Sequence, residues 1–345
     1  MKKTFIPISH RPKVKGMHLK EGSKHLSYTK NINNKTGIIP AVVLVGVYDD
    51  ISQFRVIINE VSDEPLAVFF FDDLGIHWNF SFFDNELIFD LNGKLIKPLG
   101  IYYRGYGVDE NDSRKKLFLN LQEAIELWEG ECIGAKAKHY YNSSKGLQLT
   151  STINQVLNII NNESVSFPPS FFIKGPPNLL QELLNKHEDL IVKSCSYVRS
   201  KVVNSNDFLL WESSNLLNLP TFFQVHIKGI DVRIHVLKDK SWAISIENKD
   251  GVDFRYAKNR SKYQKELISS LLNQFVLKLN EIEQIALSGI DIIKTEAQFF
   301  CLECNPNPGW AGFHYFSNDE KEIARSILKI ITGKKKNECP SLSRD

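Results

Sequence analysis

The chain has 345 residues, 42% of them hydrophobic and 24% charged, with a formal net charge of +3. These are the values of an ordinary folded protein long enough for two or three domains. The slight charge gives no support to a nucleic-acid or membrane-surface partner, and no apolar run approaches the roughly 20 residues that span a bilayer. Five scattered cysteines, an odd number, make no disulfide framework and no secretory apolar segment follows the start, so a reducing cytoplasm is the expected location.

Residues 1–38 are rich in Lys, His, Asn and Ser without a sustained period, and read as an irregular arm. From there the pattern changes. Pro40 to Val47 reads as a buried strand, Asp49 to Glu60 as a helix with Asp49 or Asp50 as N-cap, and Leu66 to Phe71 as a second strand. That order predicts a small α/β unit with parallel pairing. Further strands are expected over Trp78 to Phe83, Leu87 to Leu91 and Ile101 to Arg104, followed by an amphipathic helix over Leu117 to Trp128. The run Tyr102-Tyr103-Arg104-Gly105-Tyr106 reads either as aromatic strand packing or as a segment facing a cleft.

A second unit opens near His139. Asn142-Ser143-Ser144-Lys145-Gly146 leads into a helix ending near Asn161, Phe167 to Ile173 is a proline-led strand, Leu179 to Leu184 is helical, and Leu190 to Lys193 is a strand ending in a lysine. With Ser194 to Ser200 behind it, Lys193 offers a positive charge and several hydroxyl and N–H donors to a polyphosphate, or stands as a solvated surface turn. Asp231 and Arg233 share one face of the next strand region, Thr221 to Val236. They read as a salt bridge, or as a device presenting the planar fork of Arg233 to a phosphate or carboxylate. Ser241 to Glu247 is another strand, Ser261 to Leu287 a long amphipathic helical region, and Asp319 to Ile331 a closing helix on the same lobe, before a solvated tail over residues 334–345.

Two apolar runs, Gly289 to Ile293 and Phe299 to Gly309, read as an antiparallel pair turning around Thr295 to Gln298. Strand alternation sends Phe300, Leu302 and Cys304 to one face and Cys301, Glu303 and Asn305 to the other. Asp291 then lies opposite or diagonal to Glu303, within the roughly 5 to 8 Å of cross-strand neighbours. Two carboxylates and an amide suit Mg²⁺, which takes one or two protein carboxylates and leaves its other positions to water and phosphate oxygens. An exposed hairpin with incidental acids is the alternative. Cys301 and Cys304 form a C-x-x-C, but residues three apart on a strand face opposite ways, so joint ligation is not expected and one of them belongs to the core.

Asp291 together with Leu302-Glu303-Cys304-Asn305-Pro306-Asn307-Pro308-Gly309-Trp310 resembles the terminal signature of the ATP-grasp ligases. The resemblance implies an α/β (α+β) architecture: a pre-ATP-grasp α/β domain over 39–138, a small lobe over 139–228 and a large lobe over 229–333. It implies that Asp291, Glu303 and Asn305 hold Mg²⁺ against the phosphates of ATP. Lys145 and Lys193 match the two lysines that grip the nucleotide in microviridin-type (graspetide) and RimK-like glutamate-adding ligases. Ser194, Ser196 and Arg199 fall in the flap, here without the family's glycines. Gln224, Val225, His226 and Ile227 match the hinge that meets the adenine, with Val225 where family members often have Glu. Asp231 and Arg233 match the Asp-x-Arg of these ligases, and Asp253-Phe254-Arg255 resembles their Asp-Trp-Arg, which directs Arg255 toward substrate or phosphate. Lys193, Arg233 and Arg255 would carry the catalytic charge.

The chemistry implied is attack of a carboxylate on the γ-phosphate, giving an acyl phosphate that an amine or hydroxyl displaces. The expected partner is a ribosomally made precursor peptide, macrocyclised through its Asp or Glu side chains, with the surface around Ser241 to Asp253 as a candidate leader contact. A RimK-like ligase adding amino acids and a non-catalytic binding module are the competing readings. The oligomeric state is left open, a homodimer among the options.

Overall fold

The computed structural model describes residues 26–32, 37–105, 114–134, 145–160, 164–173, 177–187, 189–193, 201–204, 221–247 and 262–333. These fall in two compact units, one within Met1–Lys136 and Asn318–Asp345 and the other within Ala137–Ser317.

In the first unit, strands β1 (Tyr28–Lys30), β2 (Ile39–Gly46), β3 (Leu66–Phe70), β4 (Trp78–Phe83), β5 (Glu86–Leu91), β6 (Lys94–Tyr103) and β7 (Cys132–Ile133) form one sheet in the order β1-β3-β2-β6-β5-β4, with β7 beside β6. β2 runs parallel to both β3 and β6. Its run Ala41 to Val45 is fully buried, as a parallel strand covered on both faces must be. The helices α1 (Ile51–Glu60) and α2 (Lys115–Leu127) lie where their apolar spacing predicts.

Two expectations about this region change, and one open alternative is decided. The arm over 1–38 contributes a strand, since Tyr28–Lys30 pairs antiparallel with β3. It is held by the Asp73 carboxylate, which accepts from the N–H groups of Leu26 (2.9 Å) and Ser27 (2.6 Å), and by Ser27 Oγ, which accepts from Phe70 N–H at 3.0 Å. Three residues are too few to show a period. The described part of the aromatic run, at the end of β6, is packing: Tyr102, Tyr103 and Arg104 are all buried, and Arg104 donates to Asp50 Oδ1 from Nε at 3.0 Å and from Nη2 at 2.9 Å. Finally, the helix Asp319–Ile331 belongs to this unit and not to the large lobe. It packs on α1 and β6, Arg325 Nε bonds Glu60 at 2.6 Å, and Gly100 leaves room for the backbone of Ile331, where a Cβ would collide. An apolar stripe says that a helix packs, and leaves open on what.

The second unit is built on two sheets. A four-stranded antiparallel sheet has the order β11 (Lys201–Asn204), β10 (Asp189–Lys193), β12 (Thr221–Val225), β9 (Ser170–Ile173), and α4 (Pro177–Lys186) covers one of its faces through Leu180 and Leu184, which meet Leu190, Val192 and Phe223. A six-stranded sheet has the order β15 (Lys262–Glu266), β14 (Lys240–Glu247), β13 (Ile230–Leu237), β16 (Leu287–Lys294), β17 (Phe299–Asn305), β8 (Val165–Ser166). Its core face carries α3 (Lys145–Ile160) and α5 (Ser270–Ile282): Ile153 and Val156 join Leu272, Phe275, Val276 and Leu279 over Val232, Ile234, Ile290 and Ile292. Thr152 Oγ1 also donates to the buried Glu283.

The predicted proline-led strand Phe167 to Ile173 is a strand only from Ser170, and just before it Val165–Ser166 forms a short strand of the other sheet. Pro168 and Pro169 have no N–H for a ladder, so the chain leaves one sheet at β8 and enters the other at β9. It follows that α3 and β8, assigned by sequence to the small lobe, complete the core of the larger sheet. The long helix predicted from Ser261 begins only at Ser269, whose Oγ caps it by accepting from Leu272 N–H at 3.2 Å. Lys262–Glu266 is instead an edge strand antiparallel to β14, with a charged composition suited to an edge. Among the described residues no helix is long and apolar enough to cross a membrane.

Candidate functional site

The face of the six-stranded sheet opposite the helices carries the expected residues. Alternation along β13 buries Val232, Ile234 and Val236 under α3 and α5, which leaves Asp231, Arg233 and His235 on the other face. Pairing places Arg233 opposite Asp291, and Asp291 opposite Glu303. In the next row His235 stands opposite Gly289, and Gly289 opposite Asn305. The three expected oxygen donors therefore share two adjacent cross-strand rows, and Asp291 is directly opposite Glu303.

A β-bulge makes this arrangement possible. Asp291 pairs with Glu303 but Ile292 pairs with Cys301, so Leu302 is an extra residue on β17. The bulge resets the alternation, and both Cys301 and Cys304 turn into the core, where both thiols are free. The expectation that these cysteines face opposite ways, and that Cys301 shares a face with Glu303, fails for this reason. The turn is where it was expected: Thr295 N–H donates to Gln298 O at 3.0 Å, and Thr295 Oγ1 accepts from Gln298 N–H at 3.1 Å.

Arg233 ion-pairs with Asp291, so its carboxylate partner lies across the sheet and not at Asp231. The guanidinium also lies over the Phe313 ring, 5.5 Å from its centroid, a favourable cation–π distance. Its Nε is buried and has no hydrogen-bond partner among the described residues. The Asp291 side chain keeps 27% of its exposure. Burial raises its carboxyl from the ordinary range to about 6, Arg233 opposes the rise and Glu303 adds to it. Asp291 and Glu303 stand side by side in one cross-strand row, two carboxylates placed to share a divalent cation. No group of three His, Cys, Asp or Glu residues suited to a metal occurs among the described residues. The donor set is two carboxylates and an amide, all oxygen, as Mg²⁺ requires and Zn²⁺ does not favour.

Asn305 is oriented by the turn that follows it, for its Oδ1 accepts from Asn307 N–H at 3.1 Å, leaving the second lone pair of that oxygen. Gly289 leaves space for this turn: a Cβ there would stand 2.6 Å from Pro308 Cβ and 2.7 Å from Arg233 Cζ.

The nucleotide-side residues are placed in part. Lys145 is the first residue of α3 and not a residue before it, and Lys193 is the last residue of β10, in register with Phe222. Gln224 is buried and its Nε2 donates to Ser170 Oγ at 3.2 Å. The N–H groups of Val225 and His226 are already bonded, to Pro169 O at 2.8 Å and Asp189 O at 3.1 Å, so neither is a donor for an adenine edge. His226 Nδ1 also stands 3.7 Å from Asp189 Oδ2. Ser194, Ser196, Arg199 and Arg255 lie outside the described residues. A cavity of about 430 Å³ lined by Phe167, Pro168, Phe172 and Phe222 with Asn154 and Leu157 lies elsewhere in the unit. It shares no residue with the acidic face, and we assign it no part in the chemistry.

The sequence reading passed over His235 and His314. Both are fully buried, with His235 Nδ1 2.8 Å from His314 Nε2 and His235 Nε2 3.0 Å from Gly309 O. Carrying the alternation from Arg233 two residues further would have put His235 on the same face; nothing in the pattern marks His314.

The unit thus combines an antiparallel four-stranded sheet with a mixed six-stranded sheet whose last hairpin carries Asp291, Glu303 and Asn305. Residues 215–331 match the family described as the RimK-like ATP-grasp domain. No curated protein matches the sequence. Among solved structures, the macrocyclase MdnC bound with precursor peptide MdnA from Microcystis aeruginosa is 17% identical with a TM-score of 0.67, over 85% of this chain and 100% of that one. The ATP-grasp ligase PsnB complexed with minimal precursor, Mg and ADP is 17% identical with a TM-score of 0.63, over 86% and 99%. A RiPP-associated ATP-grasp ligase of Chryseobacterium gregarium, in complex with ADP and a leader and core peptide, is 16% identical with a TM-score of 0.64, over 86% and 97%. At these identities the likeness is one of fold.

Proposed function

We propose that the protein is an ATP-dependent ligase that activates a carboxylate as an acyl phosphate and joins it to a hydroxyl or amine, and that its substrate is a ribosomally made peptide that it macrocyclises. The observation that carries the reading is the single row Arg233, Asp291, Glu303 beside Asn305, which gathers a divalent-cation donor set and an arginine on one face. The structural likeness to proteins solved with precursor peptides supports the choice of substrate.

Mg²⁺ held by Asp291, Glu303 and Asn305 would neutralise phosphate charge and orient the γ-phosphoryl group. The chain's own residues do the rest. Arg233, anchored by Asp291 and Phe313, presents a fixed cation to the transferring phosphoryl group or the acceptor carboxylate. Lys145 and Lys193 are the proposed phosphate-binding lysines, joined by Ser194, Ser196 and Arg199 of the flap and by Arg255. At the hinge the donor to the adenine passes from the bonded amides of Val225 and His226 to Ile227. The substrate carboxylate oxygen attacks the γ-phosphorus, the bond to the β-phosphate oxygen breaks and ADP leaves. The acceptor hydroxyl or amine then attacks the acyl carbon, loses its proton and expels phosphate.

The test is incubation with ATP, Mg²⁺ and a candidate precursor peptide encoded nearby, followed by mass spectrometry. Loss of one water per bond, with ADP formed in equal amount, supports macrocyclisation. Mass gains equal to amino-acid residues would select the second reading, a RimK-like ligase, which the matching family favours. ATP left intact with every acceptor offered would refute both.

A further inference from the structure

We propose that His235 and His314 are positioning residues which latch the turn after β17 and thereby fix the Asn305 amide; the latch rests on the metal-site reading above only for its consequence. A carbonyl oxygen can only accept, so the bond from His235 Nε2 to Gly309 O at 3.0 Å puts the His235 proton on Nε2. In the neutral ring Nδ1 is then an acceptor, and the 2.8 Å contact makes His314 Nε2–H its donor. Two fully buried imidazoles thus form a directed chain ending on one backbone carbonyl.

That carbonyl ends the segment Asn305 to Gly309. At the near end of the segment Asn305 Oδ1 accepts from Asn307 N–H at 3.1 Å, and in the middle Pro308 sits over Gly289, where a Cβ would be 2.6 Å from its ring. The turn is therefore fastened at its far end by His235, pressed in the middle onto a residue without a side chain, and coupled at its near end to the amide oxygen offered to the cation. His235, Gly289 and Asn305 occupy one cross-strand row, so the latch acts in the same row as the ligand it holds. Groups that support a metal ligand without touching the metal commonly cost ten-fold or more in affinity when removed.

The test uses the full-length protein and two variants at one position. In His235→Gln the side-chain amide keeps a donor near the Nε2 position; in His235→Leu it is absent. Hydrogen exchange of the Asn307 amide, read without metal or nucleotide, is expected to be slow in the wild type and in H235Q and about ten-fold or more faster in H235L. In Mn²⁺ titrations with a non-hydrolysable ATP analogue, H235L is expected to need about ten-fold more metal for half-saturation, and H235Q to stay near the wild type. Should H235L fail to fold, His314→Leu, which removes the donor to His235 Nδ1 and leaves the Gly309 bond in place, gives the same two readings at smaller size. Unchanged Asn307 exchange in a folded H235L protein would overturn the latch. Faster exchange with unchanged metal affinity would overturn its role at Asn305. Absence of metal–nucleotide binding in the wild type would count against the ligase reading, and the exchange measurement would still decide the latch.

Discussion

Gly289→Ala puts one methyl group between Arg233 and Pro308 on the acidic face. The new Cβ would stand 2.6 Å from Pro308 Cβ and 2.7 Å from Arg233 Cζ, well inside van der Waals contact. A free arginine would swing away at little cost, but this one is held by Asp291 and by the Phe313 ring, and Pro308 cannot rotate. Overpacking of this kind costs about 1–3 kcal/mol, and loosening a charge-assisted hydrogen bond adds about 1.5–3 kcal/mol. A sum near 4 kcal/mol corresponds to a fall in Tm of roughly 10 °C for a unit of this size. Displacing Arg233 by about 1 Å should also slow ADP formation by roughly 100-fold. Gly312→Ala is the control, because a Cβ there meets nothing within 4 Å and alanine favours a helix by up to about 1 kcal/mol. Differential scanning fluorimetry and a coupled ADP assay read both variants. If G289A melts within about 1 °C of the wild type and turns over normally, the guanidinium and the turn are not pinned as described.

Other outcomes follow from the same geometry. Asp50→Ala removes both Asp50 bonds of the buried Arg104 guanidinium and should destabilise the first unit by about 1.5–3 kcal/mol in urea unfolding; Glu86→Ala, whose partner Lys97 is half exposed, should change stability by less than about 1 kcal/mol. Cys301 and Cys304, both in the core, should resist iodoacetamide in the native protein and react together on unfolding, as peptide mass spectrometry would show; labelling of either one in the folded state would contradict the reset of alternation at the bulge. Phe313→Ala leaves the ion pair to Asp291 but removes the ring beneath Arg233, and should lower stability by about 0.5–2 kcal/mol and ADP formation more than peptide or nucleotide binding.

The strands were legible wherever apolar runs alternate or continue, and the row that joins Asp291 to Glu303 was legible because two apolar runs flank one short turn. What escaped the sequence was decided at longer range. The bulge at Leu302 is a matter of two-strand register, invisible to a rule that counts along one strand. The split at Pro168 and Pro169 depends on which sheet each flank joins, and the docking of Asp319–Ile331 on the first unit depends on Gly100 and Glu60, more than 200 positions away in the chain. Lys262–Glu266 was absorbed into a helix because its charges show no stripe, whereas an edge strand needs none. His235 and His314 are joined across 79 positions, and only the fold brings them to one carbonyl.

A ligase of the proposed kind must hold a cation on its acidic hairpin at the end of a nucleotide. Crystals grown with Mn²⁺ and a non-hydrolysable ATP analogue, measured at the manganese absorption edge, address it directly. The expected result is an anomalous peak bounded by Asp291, Glu303 and Asn305 and in contact with the outer phosphates. A well-ordered triphosphate whose manganese lies away from all three side chains would contradict it.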